Sequence, residues 1–229
     1  HMLLILIIII ALGLSFGSFA NCLVWRLYRQ EKISGRSYCP RCLKKLWWHD
    51  NIPLFSYLRL GGRCRFCHQP ISWQYPAVEV IVAGLFVFFW FKHLGFAWVD
   101  LETLSLFFNF DFWLALIRDY LAVFVLTVVF VFDLRFYLVS NAVVIPAALV
   151  FAGLNLLLGA SLYVLFLGIA GAVAFFGLQF LVTRGRGLGE GDIWLGLLLA
   201  SLFPDWSLLI LAILSAYLLG TIVGLILII

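Results

Sequence analysis

The stretch LAVFVLTVVFVF at residues 121–132 is apolar apart from one threonine, and Asp133 follows it directly. A second acid, Asp192, closes Gly-Glu-Gly-Asp at 189–192, just before another apolar run. An ionisable carboxylate at a membrane boundary is costly, so its presence there indicates a functional site. The alternative is that each aspartate is only a helix-end residue in headgroup water.

Two such aspartates at the same membrane depth suggest an aspartic-protease pair. In such a pair one carboxyl group stays protonated while the other, ionised, activates a water molecule. Gly189 and Gly191 are expected to let the backbone adopt open conformations and to let a substrate approach closely. The alternative for the glycine run at 185–191 is a flexible turn.

The composition places the rest of the chain in a membrane. It is 65% hydrophobic and 11% charged, with a mean hydropathy of +1.13, whereas soluble domains contain ~25% charged residues. About 20 apolar residues span a bilayer. We therefore predict an all-α multi-pass membrane protein with about seven transmembrane helices, at 3–25, 77–93, 112–132, 141–158, 162–182, 192–203 and 207–228.

The distribution of basic residues predicts the orientation. Thirteen of the fifteen fall at 26–76, 134–140 and 183–191, which lie on one side of a seven-span arrangement. The positive-inside rule makes that side cytoplasmic and puts the N-terminus outside, so Asp133 and Asp192 both emerge in the cytoplasm. The net charge of +4 is therefore a topology signal and gives no indication of nucleic-acid binding.

The polar segment 26–76 is too short for a large core of its own, but it contains two Cys-x-x-Cys pairs. Four thiolates can hold a structural Zn²⁺ that organises such a segment, and disulfides are disfavoured in the cytoplasm. We predict a zinc-ribbon-like insertion with ligands Cys39, Cys42, Cys64 and Cys67. Reduced or disulfide-paired cysteines, or His49 or His68 as a ligand, remain alternatives. The predicted domains are 3–25, the first transmembrane helix; 26–76, the cytoplasmic zinc-binding segment with its four cysteines; and 77–229, the membrane core.

Motifs from Gly13 to about Leu199 together carry a resemblance to the type IV prepilin peptidases. They are Gly17-Ser-Phe-Ala-Asn21 with Arg26-Leu27, both Cys-x-x-Cys pairs, Asn51-Ile-Pro53, Ser56-Tyr-Leu58, Ile71-Ser72, Tyr75-Pro-Ala-Val-Glu79, Asp133 with Asn141 eight residues later, and Gly189-Glu-Gly-Asp192. Two positions depart from the family pattern. Trp194 stands where a lysine is usual, and Val139-Ser140-Asn141 replaces Leu-Pro-Asp/Asn.

The resemblance implies an intramembrane aspartic protease of the Gly-x-Gly-Asp type in a bacterial inner membrane, with Asp133 and Asp192 as the catalytic pair. Its substrates would be prepilins or the pseudopilins of type II secretion, whose basic leader peptides are cut after a glycine on the cytoplasmic side. Many members also methylate the new N-terminus with S-adenosylmethionine.

Two further polar residues have open roles. Glu79 lies at a helix start, where it would either orient a cation such as a sulfonium or simply cap the helix. Asn21 lies inside a span, where it would hydrogen-bond a neighbouring helix or line the peptide site. Two other function classes remain: a peptidase without methylation, and a non-enzymatic zinc-ribbon scaffold or ion transporter. The absence of a convincing internal repeat argues against a transporter.

Overall fold

The computed structural model describes residues 2–94, 109–186 and 188–228. Its helices pack into two units, one ending at Tyr137 and the other starting at Leu138. In the described residues, eight α-helices and one short 3-10 helix account for the regular structure, and no strand longer than an isolated bridge occurs. The prediction of an all-α fold is confirmed.

The described part of the first unit contains three long helices and the cysteine segment. Its elements are α1 (Met2–Tyr28), the 3-10 helix (Trp48–Asn51), α2 (Phe55–Arg59), α3 (Gln74–His93) and α4 (Phe110–Phe136). The three long helices all pack against one another. The segment between α1 and α3 therefore joins two neighbouring helix ends.

Two glycines allow α1 to pack closely on α3. A Cβ atom at Gly13 would lie 2.5 Å from Ala83 Cα, and one at Gly17 would lie 2.7 Å from Glu79 Cα. Small residues four apart on a membrane helix let two backbones approach in this way. The close contact fixes the first turns of α3, and with them Glu79, against α1.

The second unit consists of α5 (Asn141–Leu157), α6 (Leu162–Thr183), α7 (Glu190–Leu202) and α8 (Trp206–Ile228). The short helix α7 packs on both α5 and α6. The buried side chain of Asn155 in α5 donates to the carbonyl oxygens of Ser201 and Leu202, at 2.8 and 3.1 Å. These carbonyls have no later helical turn to bond to, so Asn155 completes the end of α7.

Among the described residues, five helices are long and apolar enough to cross a membrane: α1, α3, α4, α6 and α8. The chain is therefore a multi-pass membrane protein. The remaining two expected spans also occur as helices, but they are shorter: α5 has 17 residues and α7 has 13. Neither fully spans ~30 Å of hydrocarbon as a straight helix, since each residue adds 1.5 Å.

A charge cluster lies where α3 ends. Asp119 of α4 is buried, and its carboxylate is 3.0 Å from His93 Nε2, 3.4 Å from Lys92 Nζ and 2.8 Å from Arg118 Nη2. Lys92 and Arg118 are the two basic residues outside the cytoplasmic segments predicted from the sequence. Both are held by this one buried acid.

Candidate functional site

Asp133 lies in the last turn of α4. Its side chain is exposed, and its backbone carbonyl accepts a 2.7 Å hydrogen bond from the amide of Tyr137. Tyr137 has a φ of +54°, the left-handed conformation that often terminates a helix. The apolar run at 121–132 thus ends in a defined cap that leaves Asp133 at the polar end of the helix.

Asp192 lies in the first turn of α7, with Gly189 as the N-cap residue. Asp192 Oδ2 accepts a 2.9 Å hydrogen bond from the backbone N–H of Gly189, so this carboxylate reaches back over the start of its own helix. A negative charge is favoured there by the unpaired N–H groups and the helix dipole. The arrangement gives Asp192 a fixed position at the start of α7.

The backbone at the two glycines before Asp192 does not have the expected conformation. Gly189 is extended, with φ −79° and ψ 163°, and Gly191 is part of the helix, so neither occupies the left-handed region. The expectation of open glycine conformations at these two positions is therefore wrong. A Cβ atom at Gly191 would lie 2.7 Å from Val139 Cγ2, so Gly191 is needed for packing. The alternative of a flexible turn includes Gly187, which lies outside the described residues.

The two Cys-x-x-Cys pairs fold into matching turns. In the first, the amide of Cys39 donates to the carbonyl of Lys44, and that of Leu43 donates to the carbonyl of Cys39. In the second, Cys64 and His68 make the corresponding bonds to Gln69 and Cys64. The residue after each second cysteine has a positive φ, +59° at Leu43 and +54° at His68. We call these two turns the knuckles.

The knuckles bring all four cysteines together, a grouping we call the thiol cluster. The sulfur atoms of Cys39, Cys42, Cys64 and Cys67 lie within 4.8 Å of one another, and the Cys39–Cys67 pair is 3.9 Å apart. A tetrahedral ion with metal–sulfur bonds of ~2.3 Å places its sulfurs roughly 3.8 Å apart. The thiol cluster therefore fits such an ion. Neither His49 nor His68 belongs to this group in the described part of the chain.

The thiols of the cluster differ in acidity. Burial raises the pKa of the Cys39 thiol to about 11. Burial also opposes ionisation of Cys64, yet hydrogen bonds from the backbone amides of Cys67 and Phe66 and from neighbouring thiols lower its pKa to about 7. A bound metal ion would favour the thiolate at all four positions, because only thiolates are strong ligands.

An ion pair ties the second knuckle to the 3-10 helix. Arg65 Nη2 is 2.6 Å from Asp50 Oδ1, and Arg65 Nε donates to both carboxylate oxygens at 3.0 and 3.1 Å. The hydrogen bonds from Arg65 lower the pKa of Asp50, whose side chain is almost fully buried. Neither residue is predicted from the sequence as a site residue, and nothing in their spacing of fifteen predicts the pairing.

Glu79 and Asn21 both connect α3 to other parts of the first unit. Glu79 is buried, and its Oε2 accepts a 2.6 Å hydrogen bond from the amide of Leu54. Asn21 Nδ2 donates to the carbonyl of Tyr75 at 3.2 Å, and its Oδ1 accepts from Gln74 Nε2 at 3.3 Å. Asn21 thus hydrogen-bonds a neighbouring helix. Asn141 is the exposed first residue of α5.

Trp194 follows Asp192 by two residues, at the position of the missing lysine. Its indole Nε1 is buried without a hydrogen-bond partner among the described residues. The sequence alone shows that the lysine ammonium group is missing. The burial of the Trp194 indole N–H group is visible only in the structure.

Comparison with known proteins covers most of the chain. Residues 11–93 match the bacterial peptidase A24 N-terminal domain, and residues 120–225 match the type IV leader peptidase family. A Pseudomonas aeruginosa protein named prepilin leader peptidase/N-methyltransferase is 30% identical over 99% of this chain and 82% of its own length. The chain belongs to the type IV leader peptidase family.

Other relatives with the same name are matched over smaller parts of their length. A Myxococcus xanthus protein is 30% identical over 95% of this chain and 62% of its own length. A Klebsiella pneumoniae protein is 45% identical over 33% of this chain and 36% of its own length. The chain therefore spans less than two thirds of each of these two relatives. No solved structure shows a significant match to the chain.

Proposed function

We propose that the chain is an intramembrane aspartic endopeptidase with Asp133 and Asp192 as its catalytic pair. One observation carries the proposal: both acids lie in the terminal turn of an apolar helix and within the 120–225 match to the type IV leader peptidase family. The substrates are prepilins or pseudopilins, cut after a glycine that ends a basic leader. Membership of this family argues against a scaffold or transporter.

The chemistry requires one base and one acid. The ionised aspartate takes a proton from water as the water oxygen attacks the scissile carbonyl carbon. The protonated aspartate donates its proton as the carbon–nitrogen bond breaks, which yields a leader carboxyl group and a new amine.

The thiol cluster is proposed to hold a structural Zn²⁺. Four cysteine sulfurs at tetrahedral spacing suit zinc or iron, and a closed set of four protein ligands is typical of structural zinc. With no open coordination position, the ion would stabilise the segment 26–76 rather than take part in hydrolysis.

Methylation of the new amine is proposed as a second activity, supported by the names of the relatives. S-adenosylmethionine supplies the methyl group: the amine lone pair forms the new carbon–nitrogen bond, the carbon–sulfur bond breaks with its electrons on sulfur, and a proton leaves the amine to water. A carboxylate such as Glu79 suits the cationic donor.

The proposed location is the inner membrane of a bacterium, with the N-terminus outside and the cysteine segment in the cytoplasm. The basic residues at 26–76, 134–140 and 183–191 support this orientation. The function is tested by incubating the purified protein in lipid with a prepilin, with and without S-adenosylmethionine, followed by intact-mass analysis. Cleavage after glycine in both samples, and an added methyl mass in one, is expected. An uncleaved prepilin would contradict the proposal.

A further inference from the structure

The first unit contains a cavity of about 610 Å³ between the end of α1, the cysteine segment and the starts of α2 and α3. This volume is within the ~300–1,000 Å³ of small-molecule sites. Its walls include Trp25, Tyr38, Arg41, Tyr75, Glu79 and Arg135. No step of the proposed hydrolysis uses this cavity.

Four arginines line the cavity, together with Asp50, Glu79 and two members of the thiol cluster, Cys39 and Cys64. Two of its arginines are already engaged: Arg26 donates to the carbonyls of Ile33, Gly35 and Arg36, and Arg65 is paired with Asp50. The other two, Arg41 and Arg135, form no ion pair with any residue in the described ranges. Arg135 lies over the ring of Tyr75, 5.9 Å from its centroid. A ligand carboxylate would be attracted to these two arginines.

The wall of the cavity formed by α3 carries a negative charge, that of the Glu79 carboxylate. Glu79 is only 7% exposed, and Leu54 N donates to it, but no cation of the described residues lies within 4.0 Å of its carboxylate. A buried carboxylate without a cationic partner is destabilised by the loss of water. A positively charged ligand group beside it would offset that loss. Glu79 and Arg135 thus favour a zwitterionic ligand.

Aromatic rings form part of the same walls. Trp25 Nε1 donates to Tyr38 Oη at 3.2 Å, and that hydroxyl donates to Glu31 Oε2 at 2.6 Å, so these rings are held in place. Tyr57 and Tyr75 also line the cavity. Fixed rings of this kind suit stacking of a flat heterocycle.

We propose that this cavity binds S-adenosylmethionine, with its sulfonium beside Glu79, its carboxylate beside Arg135 and its adenine against the aromatic wall. The inference rests on the proposed methylation and names the site for the methyl donor. Arg135 follows Asp133 by two residues on α4, so the cavity reaches the helix turn that bears one of the proposed catalytic acids.

The test measures binding of three probes to the purified full chain in lipid nanodiscs by equilibrium dialysis. S-adenosylmethionine has a sulfonium and a carboxylate, S-adenosylhomocysteine has only the carboxylate of these two groups, and 5′-methylthioadenosine has neither. The parent protein should prefer S-adenosylmethionine to S-adenosylhomocysteine by about tenfold, as expected for one charged interaction. Glu79→Gln keeps an acceptor for Leu54 N but should abolish this preference.

Arg135→Gln should weaken binding of both carboxylate-bearing probes by about tenfold and leave binding of 5′-methylthioadenosine unchanged, with partial rescue by Arg135→Lys. Arg59→Gln is the matched control, because Arg59 is exposed and does not line the cavity. Retained zinc content shows that each variant is folded. Unfolding of a variant would weaken its binding of all three probes alike.

The selectivity pattern separates this inference from the proposed function. Methylated product together with unchanged selectivity in Glu79→Gln and Arg135→Gln would overturn the cavity assignment and leave methylation in place. Failure of the parent chain to bind S-adenosylmethionine or to methylate would overturn both.

Discussion

Gly191 lies so close to Val139 that a Cβ atom added to the glycine would be 2.7 Å from Val139 Cγ2 and 2.9 Å from Val139 Cβ. This contact joins the first turn of α7 to the residues just before α5. Asp192 follows Gly191 directly, so the packing of the glycine fixes the helix start that bears the proposed catalytic acid.

The Gly191→Ala variant is expected to be destabilised by about 1–3 kcal/mol, because the added methyl group overpacks this contact. The measurement is the thermal unfolding midpoint in detergent. Val139→Ala removes the Cγ2 contact at 2.7 Å but keeps Val139 Cβ at 2.9 Å, so it should restore only part of the loss in the double variant. Gly153→Ala is the control, since Gly153 lies inside α5 and a Cβ atom there would meet nothing within 4 Å. Equal effects of the two alanine variants would contradict this interpretation.

Replacement of either proposed catalytic acid should abolish cleavage. Asp133→Asn and Asp192→Asn each remove one carboxyl group, so water activation or leaving-group protonation fails, and a loss of at least ~10²-fold is expected. The assay is the rate of prepilin cleavage by mass analysis. Asp111→Asn is the matched control because Asp111 lies in the first turn of the helix that carries Asp133 in its last turn. Near-normal cleavage by either test variant would refute the assignment.

The purified chain is expected to contain about one zinc ion, with Zn–S distances near 2.3 Å. Replacing Cys39 and Cys42 with serine should release the ion, loosen the segment 36–70 and weaken cleavage without abolishing it. Metal content by elemental analysis and hydrogen exchange of that segment provide the readouts. Cys22→Ser is the control, as Cys22 is outside the thiol cluster. Freshly reduced protein without any metal would show that the prediction is wrong.

The Asp50–Arg65 pair should stabilise the cysteine segment above about pH 4. The pKa of Asp50 is lowered by Arg65 in the folded chain, so its contribution is fully present above the unfolded pKa of ~3.9 and is lost as the pH falls through the folded value. Asp50→Asn should weaken the segment by about 2 kcal/mol. The measurement is denaturant-induced metal release.

The difference between parent and Asp50→Asn is expected to stay constant from about pH 5.5 to 8. A step within that range would contradict the assignment of the effect to the Asp50–Arg65 pair. Arg65→Gln should reproduce the loss, whereas Arg63→Gln, an exposed neighbour, should not.

The helices could be predicted from the sequence because a long apolar segment in a membrane can adopt few structures other than a helix. The expected spans agree with the observed helices to within four residues at every end. The thiol cluster was also predictable. Two Cys-x-x-Cys pairs supply a complete ligand set from local turns, and only the distance between the turns depends on the rest of the fold.

The contacts that position these features were not predictable, since they join residues far apart in the chain. Glu79 binds the amide of Leu54 across 25 positions, and Asn155 reaches Ser201 across 46. Gly191 could not be predicted for a different reason. A glycine next to a polar turn suggests that backbone freedom is required, but in the structure the missing side chain of Gly191 leaves space for Val139.

The knuckles precede α3 in the chain, and this order has a consequence for folding. All four sulfur ligands lie between residues 39 and 67, so they are translated after α1 and before Gln74. A metal ion bound to this segment would divide the connection between α1 and α3 into shorter loops, and short loops lose less entropy on closure. Metal binding would therefore lower the entropic cost of packing α3 against α1.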